Sequence, residues 1–114
     1  MKRIYHLSTC STCKRLLKAL GEAINEFELI DIKTDPLSKD NLEELKKRSG
    51  SYEKIFSKTA RKYRELGLKD KELKEEDFKK YLLEHYTFLK RPVLVDRDSI
   101  VIGSRAFQKY LDER

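Results

Sequence analysis

Long apolar runs are absent from this 114-residue sequence, and none approaches the roughly 20 residues that a membrane-spanning helix needs. The opening stretch MKRIYHLST has too short an apolar part to be a signal peptide. Glycine and proline are scarce, at four and two residues, and the sequence contains no linker, repeat or low-complexity segment. These absences predict a soluble, cytoplasmic protein without membrane contact, folded as one domain.

Cysteine is equally scarce, since Cys10 and Cys13 are the only two in the chain. Two cysteines cannot staple a scaffold of this length, which excludes the class of small disulfide-rich proteins. In a reducing compartment, a C-x-x-C pair is more often catalytic or metal-binding than a permanent disulfide. The pair is therefore the first candidate for chemistry.

Charge is abundant, because 40% of the residues are charged and the net charge is +6. The two signs are interleaved, as in EELKKR, which is typical of solvated helix faces. The basic excess would help to attract an anionic substrate or an acidic partner. Charge alone is weak evidence for nucleic-acid binding, so we do not expect direct contact with nucleic acid.

Apolar periodicity predicts strands at both ends of the chain and helices between them. A strand at 2–7, a helix beginning at Ser11 and a strand at 27–32 form a βαβ unit with parallel strands. Near the end, RPVLVD and SIVIG are two strands of an antiparallel hairpin, followed by a closing helix. The middle, 38–90, is predicted to be helical, including a helix from Ser57 to Gly67 and another over about 75–86.

The cysteine pair lies at the predicted junction between the first strand and the first helix. Unpaired N–H groups at a helix start stabilise a thiolate, and Lys14 adds positive charge. We therefore expect Cys10 to have a lowered pKa and Cys13, one turn onward, to keep a pKa near that of a free thiol. Ser11 or Thr12 is expected to cap the helix. This spacing would let Cys13 attack a mixed disulfide formed at Cys10.

Three other interpretations of the pair remain open at this point. Both cysteines can be small core residues without chemistry. A zinc site would need further ligands, and His6 and His85 lack the paired spacing of a zinc finger; His6 fits better as a structural or pKa-tuning residue. A phosphatase loop is disfavoured, because Leu16 occupies the place where C-x-x-x-x-x-R requires arginine.

Three segments together resemble a known family. They are IYHLSTCSTCKRLLKAL at the start, YRELGL in the middle and LKRPVLVDRDSIVIG near the end. In this order, and over nearly the whole chain, they resemble the arsenate reductase-like (ArsC/Spx) family. The resemblance implies an α/β, thioredoxin-like (glutaredoxin-like) fold, with a mixed four-stranded sheet and an inserted helical subdomain. It divides the single domain into a thioredoxin-like core, 1–37 and 89–114, and a helical insertion, 38–88.

The resemblance also implies roles for individual residues. Cys10 would be the reactive cysteine, and Pro92 would follow a cis peptide bond and shape the substrate groove. Arsenate reductases of this family hold the oxyanion with arginines, and Arg91 fits one of them. Arg61 and Arg105 lie near the positions of the other two, but out of register. Because arginine forks need fixed geometry, we expect weak or absent arsenate reductase activity.

The functional hypothesis is a cytoplasmic thiol–disulfide oxidoreductase with Cys10 as nucleophile and Cys13 as resolving thiol. It requires no bound cofactor or metal, and an external thiol reductant, thioredoxin or glutathione, would supply the electrons. The alternative hypothesis is a redox-sensing transcription regulator similar to Spx, whose partner would be RNA polymerase.

Overall fold

A computed structural model describes residues 2–114 and divides into two compact units. An α/β unit combines the residues up to Asp35 with Arg91–Arg114, and a helical unit comprises Pro36–Lys90. Within the described residues, every helix is too short or too polar to cross a lipid bilayer.

The α/β unit is built on a mixed sheet of four strands in the order β2-β1-β3-β4. The strands are β1 Lys2–His6, β2 Glu28–Asp31, β3 Val93–Asp96 and β4 Ser99–Ile102, and the helices are α1 Ser11–Leu20 and α6 Gly103–Asp112. A short 3₁₀ segment, Gly21–Glu26, joins α1 to β2. The mixed sheet and its flanking helices confirm the predicted fold class.

Strand pairing follows the sequence prediction in direction but differs at the strand ends. β1 and β2 are parallel, as a βαβ unit requires, and β3 and β4 form the antiparallel hairpin. β1 also pairs with β3 in an antiparallel ladder, which places Ile4 opposite both Leu29 and Leu94. The third strand was expected to start at Arg91, but it begins at Val93, after a proline that cannot donate to a ladder.

One face of the sheet is covered by α1 and α6, which also pack against each other. Their inward side chains form a core with side chains of the strands and of the segment before β2: Ile4, Leu16, Leu20, Phe27, Leu94 and Phe107. Leu16 and Leu20 lie one turn apart, so both fall on the face of α1 that meets the sheet. This core fixes the direction of α1, and therefore the position of its first residues.

The helical unit contains four helices and two 3₁₀ segments. They are α2 Lys39–Ser49, α3 Tyr52–Ile55, α4 Arg61–Glu65 and α5 Glu75–Glu84, with 3₁₀ segments at Leu68–Asp70 and Tyr86–Phe88. Phe56 is the centre of its core, stacked on Phe88 at a ring-centroid distance of 4.8 Å and tilted against Phe78 at 4.8 Å.

The prediction that a helix begins at Ser57 is wrong. The Ser57 N–H donates to the Phe88 carbonyl at 2.7 Å, and the Lys90 N–H donates to the Ile55 carbonyl at 2.9 Å. Phe56 and Leu89 form an antiparallel bridge between these bonds. Contacts distant in sequence therefore keep Phe56 extended and Ser57 out of the helix, which begins only at Arg61. The helix predicted over about 75–86 also ends early, at Glu84, because His85 is extended.

Helix α2 offers a direct test of local stabilisation. Ser38 precedes the helix, and its Oγ accepts the Asn41 N–H at 3.0 Å. Ser38→Ala removes this cap, and we expect it to lower the free energy of unfolding by about 1 kcal/mol. Denaturant unfolding measures the change. Ser104→Ala, an exposed serine inside α6, is the control and should change stability by less than about 0.5 kcal/mol. Equal effects of the two substitutions would contradict a capping role.

Candidate functional site

Cys10 occupies the residue immediately before α1, which confirms its predicted position. The residue is extended, with φ −92° and ψ 114°, and its carbonyl accepts the Lys14 N–H at 3.1 Å as the helix begins. Its own N–H donates to the Leu7 carbonyl at 3.0 Å, which closes the turn between β1 and the helix. Ser11 and Thr12 lie inside the helix, so the expectation that one of them caps it is wrong.

Both cysteines are free thiols, but their surroundings differ. Cys10 is half-buried, whereas the Cys13 side chain is fully buried. Burial is the largest influence on the Cys10 pKa and acts to raise it. The Cys13 N–H, the Cys13 thiol and the Arg91 guanidinium stabilise the thiolate and together outweigh burial, so that the pKa of Cys10 is lowered.

Cys13 shows the opposite shift. Burial, its largest influence, and the neighbouring Cys10 raise the pKa of Cys13 to about 11, although the Leu7 N–H and Arg91 act against them. The sequence expectation of a nearly ordinary Cys13 is therefore wrong, because it did not include burial. The expected lowering of the Cys10 pKa is confirmed in direction. Cys10 therefore ionises at lower pH than Cys13.

Arg91 supplies the positive charge beside Cys10. It donates a side-chain hydrogen bond to the Cys10 sulfur, and its charge also favours the thiolate. The bond between Arg91 and Pro92 is cis, as the resemblance implied, and the Pro92 carbonyl accepts the Gly103 N–H at 2.9 Å. The chain before β3 is thereby joined to the start of α6. Arg91 comes from a segment far along the sequence, so local spacing could not have placed it here.

The other basic candidates are more exposed. Lys14 points from α1 into solvent, and Arg105 is exposed in the first turn of α6. Arg61 is exposed as the first residue of α4, in the helical unit. The structure thus brings Cys10, Cys13 and Arg91 together.

A carboxylate that sequence reasoning missed holds the loop before Cys10. Asp31 ends β2, and its Oδ1 accepts the Ser8 N–H at 3.3 Å and the Lys33 N–H at 3.1 Å. Hydrogen bonds from Ser8, first from its side chain, lower the pKa of Asp31. His6 lies close to this carboxylate, but burial dominates and lowers the pKa of His6, so the imidazole is neutral at pH 7. The sequence did contain a signal for this residue, because Asp31 is an acidic residue at the end of the strand predicted to lie parallel to β1.

Metal ligands do not gather around these thiols. Between residues 2 and 114, no three His, Cys, Asp or Glu side chains come close enough to hold a metal ion. His6 and His85 belong to different units. The arrangement suits thiol chemistry, since a stabilised thiolate and a protonated thiol are separated by one helical turn.

Comparison with known proteins identifies the family. A model of the ArsC family matches residues 5–108. The chain belongs to the ArsC family. Its relatives include the uncharacterized protein YusI of Bacillus subtilis, 33% identical over 91% of each chain. Another is the global transcriptional regulator Spx 2 of Bacillus anthracis, 24% identical over 88% of this chain and 77% of that protein.

A solved structure of an ArsC-family relative extends the comparison to three dimensions. The structure of a possible arsenate reductase from Streptococcus mutans is 34% identical to this chain, with a TM-score of 0.77 and 98% of each chain covered. Both units of this ArsC-family chain therefore lie within the region of similarity.

Removal of the Arg91 charge tests the electrostatics of this ArsC-family site. We expect Arg91→Ala to raise the Cys10 pKa, because a hydrogen bond and a favourable charge are lost. The measurement is the rate of alkylation against pH, which should reach half its maximum at a higher pH than in the unsubstituted protein. Arg105→Ala removes an exposed arginine of the same unit as a control. Equal shifts from both substitutions would show that net charge, rather than contact, lowers the pKa.

Proposed function

We propose that this ArsC-family chain is a thiol–disulfide oxidoreductase, with Cys10 as the nucleophile and Cys13 as the resolving thiol. The observation that supports the proposal best is the opposite shift of the two pKa values on one helical turn. Two inert core thiols would both be buried, and burial would raise both pKa values. Here the more exposed thiol is the one whose ionised form is stabilised.

The first step uses the Cys10 thiolate. It attacks one sulfur of a disulfide substrate, forms a mixed disulfide, and displaces the other sulfur as a thiolate. Arg91 and the Cys13 N–H favour the ionised form of the attacking sulfur before the reaction. The half-buried position of Cys10 leaves its sulfur accessible to a substrate from solvent.

The second step uses Cys13, whose proton is released to solvent. The Cys13 sulfur attacks the Cys10 sulfur, forms the internal disulfide, and releases the second substrate sulfur as a thiolate. Two electrons have then passed from the dithiol to the substrate. An external thiol, thioredoxin or glutathione, returns two electrons and restores both thiols, so the cycle requires no bound cofactor.

The charge on Cys10 sets the order of the steps. In the resting site, a Cys10 thiolate opposes ionisation of Cys13. Once Cys10 is bonded to substrate, that negative charge is gone, whereas Arg91 and the Leu7 N–H still stabilise a Cys13 thiolate. The pKa of Cys13 therefore falls when Cys10 has reacted. Cys13 is protected from early oxidation and is activated only when a mixed disulfide is present.

Substrate preference follows from the arginines. Arg91 is the one arginine of the three candidates that acts on Cys10. Arsenate is a tetrahedral oxyanion and needs several fixed donors, so we propose that disulfides are reduced in preference to arsenate.

A coupled assay tests the proposed function. The protein is supplied with thioredoxin, thioredoxin reductase and NADPH, and NADPH oxidation is followed with 2-hydroxyethyl disulfide or with arsenate. We expect turnover of the disulfide above the blank without protein, and little or no turnover of arsenate. Robust arsenate turnover that Arg91→Ala abolishes would contradict the stated preference, and would assign the missing donor roles to Arg61 or Arg105. No turnover of either substrate would contradict the enzyme proposal.

A second candidate function is redox-dependent binding to RNA polymerase. It is favoured by the similarity to Spx 2, which extends over most of the chain. Pull-down of purified RNA polymerase by the reduced protein and by the disulfide form distinguishes the two functions. A regulator should bind differently in the two redox states, whereas an enzyme should turn over substrate without binding the polymerase.

A further inference from the structure

Positive charge is segregated on one surface of the α/β unit, in contrast to the interleaved charges of the whole chain. Helix α1 carries Lys14, Arg15 and Lys18 and no acidic residue, and α6 adds Arg105 and Lys109. All five side chains are exposed. We call these five residues the α1–α6 basic face.

The two helices form one continuous surface. They pack against each other, and Arg15 Nη1 donates to Gln108 Oε1 at 3.0 Å across their contact. Lys14 and Lys18 lie one turn apart on the exposed side of α1, and Arg105 and Lys109 do the same on α6. The cations therefore lie on the exposed sides of two adjacent helices, away from the sheet.

The α1–α6 basic face begins at the reactive cysteine. β1 and β4 run in the same direction, since both are antiparallel to β3, so α1 and α6 start at the same edge of the sheet. Cys10 lies at that edge. The acidic residues at the ends of the helices, Glu22, Asp112 and Glu113, lie at the far edge. Of these, Glu113 approaches Lys109 at 4.0 Å, an exposed pair that leaves most of the positive charge available.

We propose that the α1–α6 basic face docks the acidic surface of a protein that exchanges thiols with Cys10. The inference rests on the proposed thiol–disulfide function and names the chemistry of the partner that restores the dithiol. Opposite charges on two protein surfaces steer encounter and can raise association rates by about 10–10³-fold at low salt. The partner would approach with its reactive sulfur at Cys10 and its carboxylates over the two helices.

The length of the face favours a protein over a small thiol. Lys18 lies two turns beyond Cys10, about 12 Å along the helix. A tripeptide thiol such as glutathione spans at most about 11 Å in total, with its sulfur on the central residue. When bonded to Cys10 through its central residue, it covers only part of the face, whereas a protein surface can cover all of it. The extent of the face therefore favours a larger partner.

Reduction kinetics test the inference. The Cys10–Cys13 disulfide form is mixed with a reduced thioredoxin of negative net charge, and the rate is measured at low and high ionic strength. We expect the Lys18→Glu, Lys109→Glu double variant to react about 10-fold more slowly at low salt, with the two rates converging at high salt. Dithiothreitol, which is too small to dock on the helices, should reduce both proteins at nearly the same rate. A Lys69→Glu, Lys71→Glu variant makes the same charge change at exposed sites of the helical unit and should retain the thioredoxin rate.

The outcomes separate the docking inference from the proposed function. Equal thioredoxin rates for the double variant and the unsubstituted protein would overturn the docking surface and leave the dithiol chemistry standing. An equal loss with dithiothreitol, or in the control variant, would overturn it as well. Tight binding of a single-stranded RNA that the double variant loses, without any change in reduction rate, would assign the face to nucleic acid instead. Failure to form or reduce any Cys10–Cys13 disulfide would overturn the proposed function.

Discussion

Cys10→Ser is expected to abolish reaction with electrophiles at neutral pH, whereas Cys13→Ser should leave a protein that reacts once and stops. The reason is the asymmetry of the two thiols: the lowered pKa belongs to Cys10, and the pKa of about 11 belongs to Cys13. Without Cys13, a mixed disulfide or sulfenic acid at Cys10 has no resolving thiol and accumulates. Alkylation rates against pH and intact-mass measurements after oxidation follow the two variants.

The direction of the pKa shift determines how the alkylation rate should depend on pH. A lowered pKa means that Cys10 ionises at lower pH than an unperturbed thiol, so its alkylation rate should rise and level off at lower pH than that of a free cysteine. Alanine at position 13 removes one donor to the Cys10 thiolate, and the profile of Cys13→Ala should shift to higher pH, whereas the hydroxyl of Cys13→Ser can still donate. If both native thiols titrate as free cysteines and alkylate only after unfolding, the pair is structural.

Phe107→Ala should produce the largest loss of stability of the substitutions considered, about 3–5 kcal/mol. The side chain is fully buried in the core between the sheet and its two helices. Truncation loses the burial of the ring and leaves a cavity, and a typical domain is stable by only about 5–15 kcal/mol. Chemical denaturation followed by circular dichroism measures the loss.

Leu29→Ala is the matched control, because Leu29 lies on the edge strand with 44% of its surface exposed. It should reduce stability by less than about 1 kcal/mol. A Phe107→Ala protein as stable as this control would show that α6 does not contribute to the core as described. Retention of Cys10 reactivity in the destabilised but folded variant would separate the loss of stability from the chemistry.

Local patterns predicted the elements that depend on near neighbours. The strand, cysteine turn and helix at the start of the chain, and the hairpin near its end, follow from apolar periodicity and turn residues. The delayed start of α4 could not be predicted in this way, because Ser57 is held by Phe88, a residue far along the chain.

The same distinction applies to the candidate site. The position of Cys10 before a helix is a local property, and the sequence pattern predicted it. The burial that raises the Cys13 pKa and the contact of Arg91 with Cys10 depend on how distant segments pack, so composition and spacing contain no measure of them. The sequence pattern did not predict the clustering of positive charge on α1 and α6 for the same reason, since the two helices are adjacent in space and far apart in sequence.

The central position of β1 in the sheet has a consequence for biosynthesis. β1 leaves the ribosome before its antiparallel partner β3, which is made only after the whole helical unit. Until then, one edge of β1 has no strand beside it, and the core around Ile4 lacks Leu94 and Phe107. The nascent α/β unit therefore exposes an open strand edge and apolar surface while the helical unit is made, the kind of intermediate that chaperones bind.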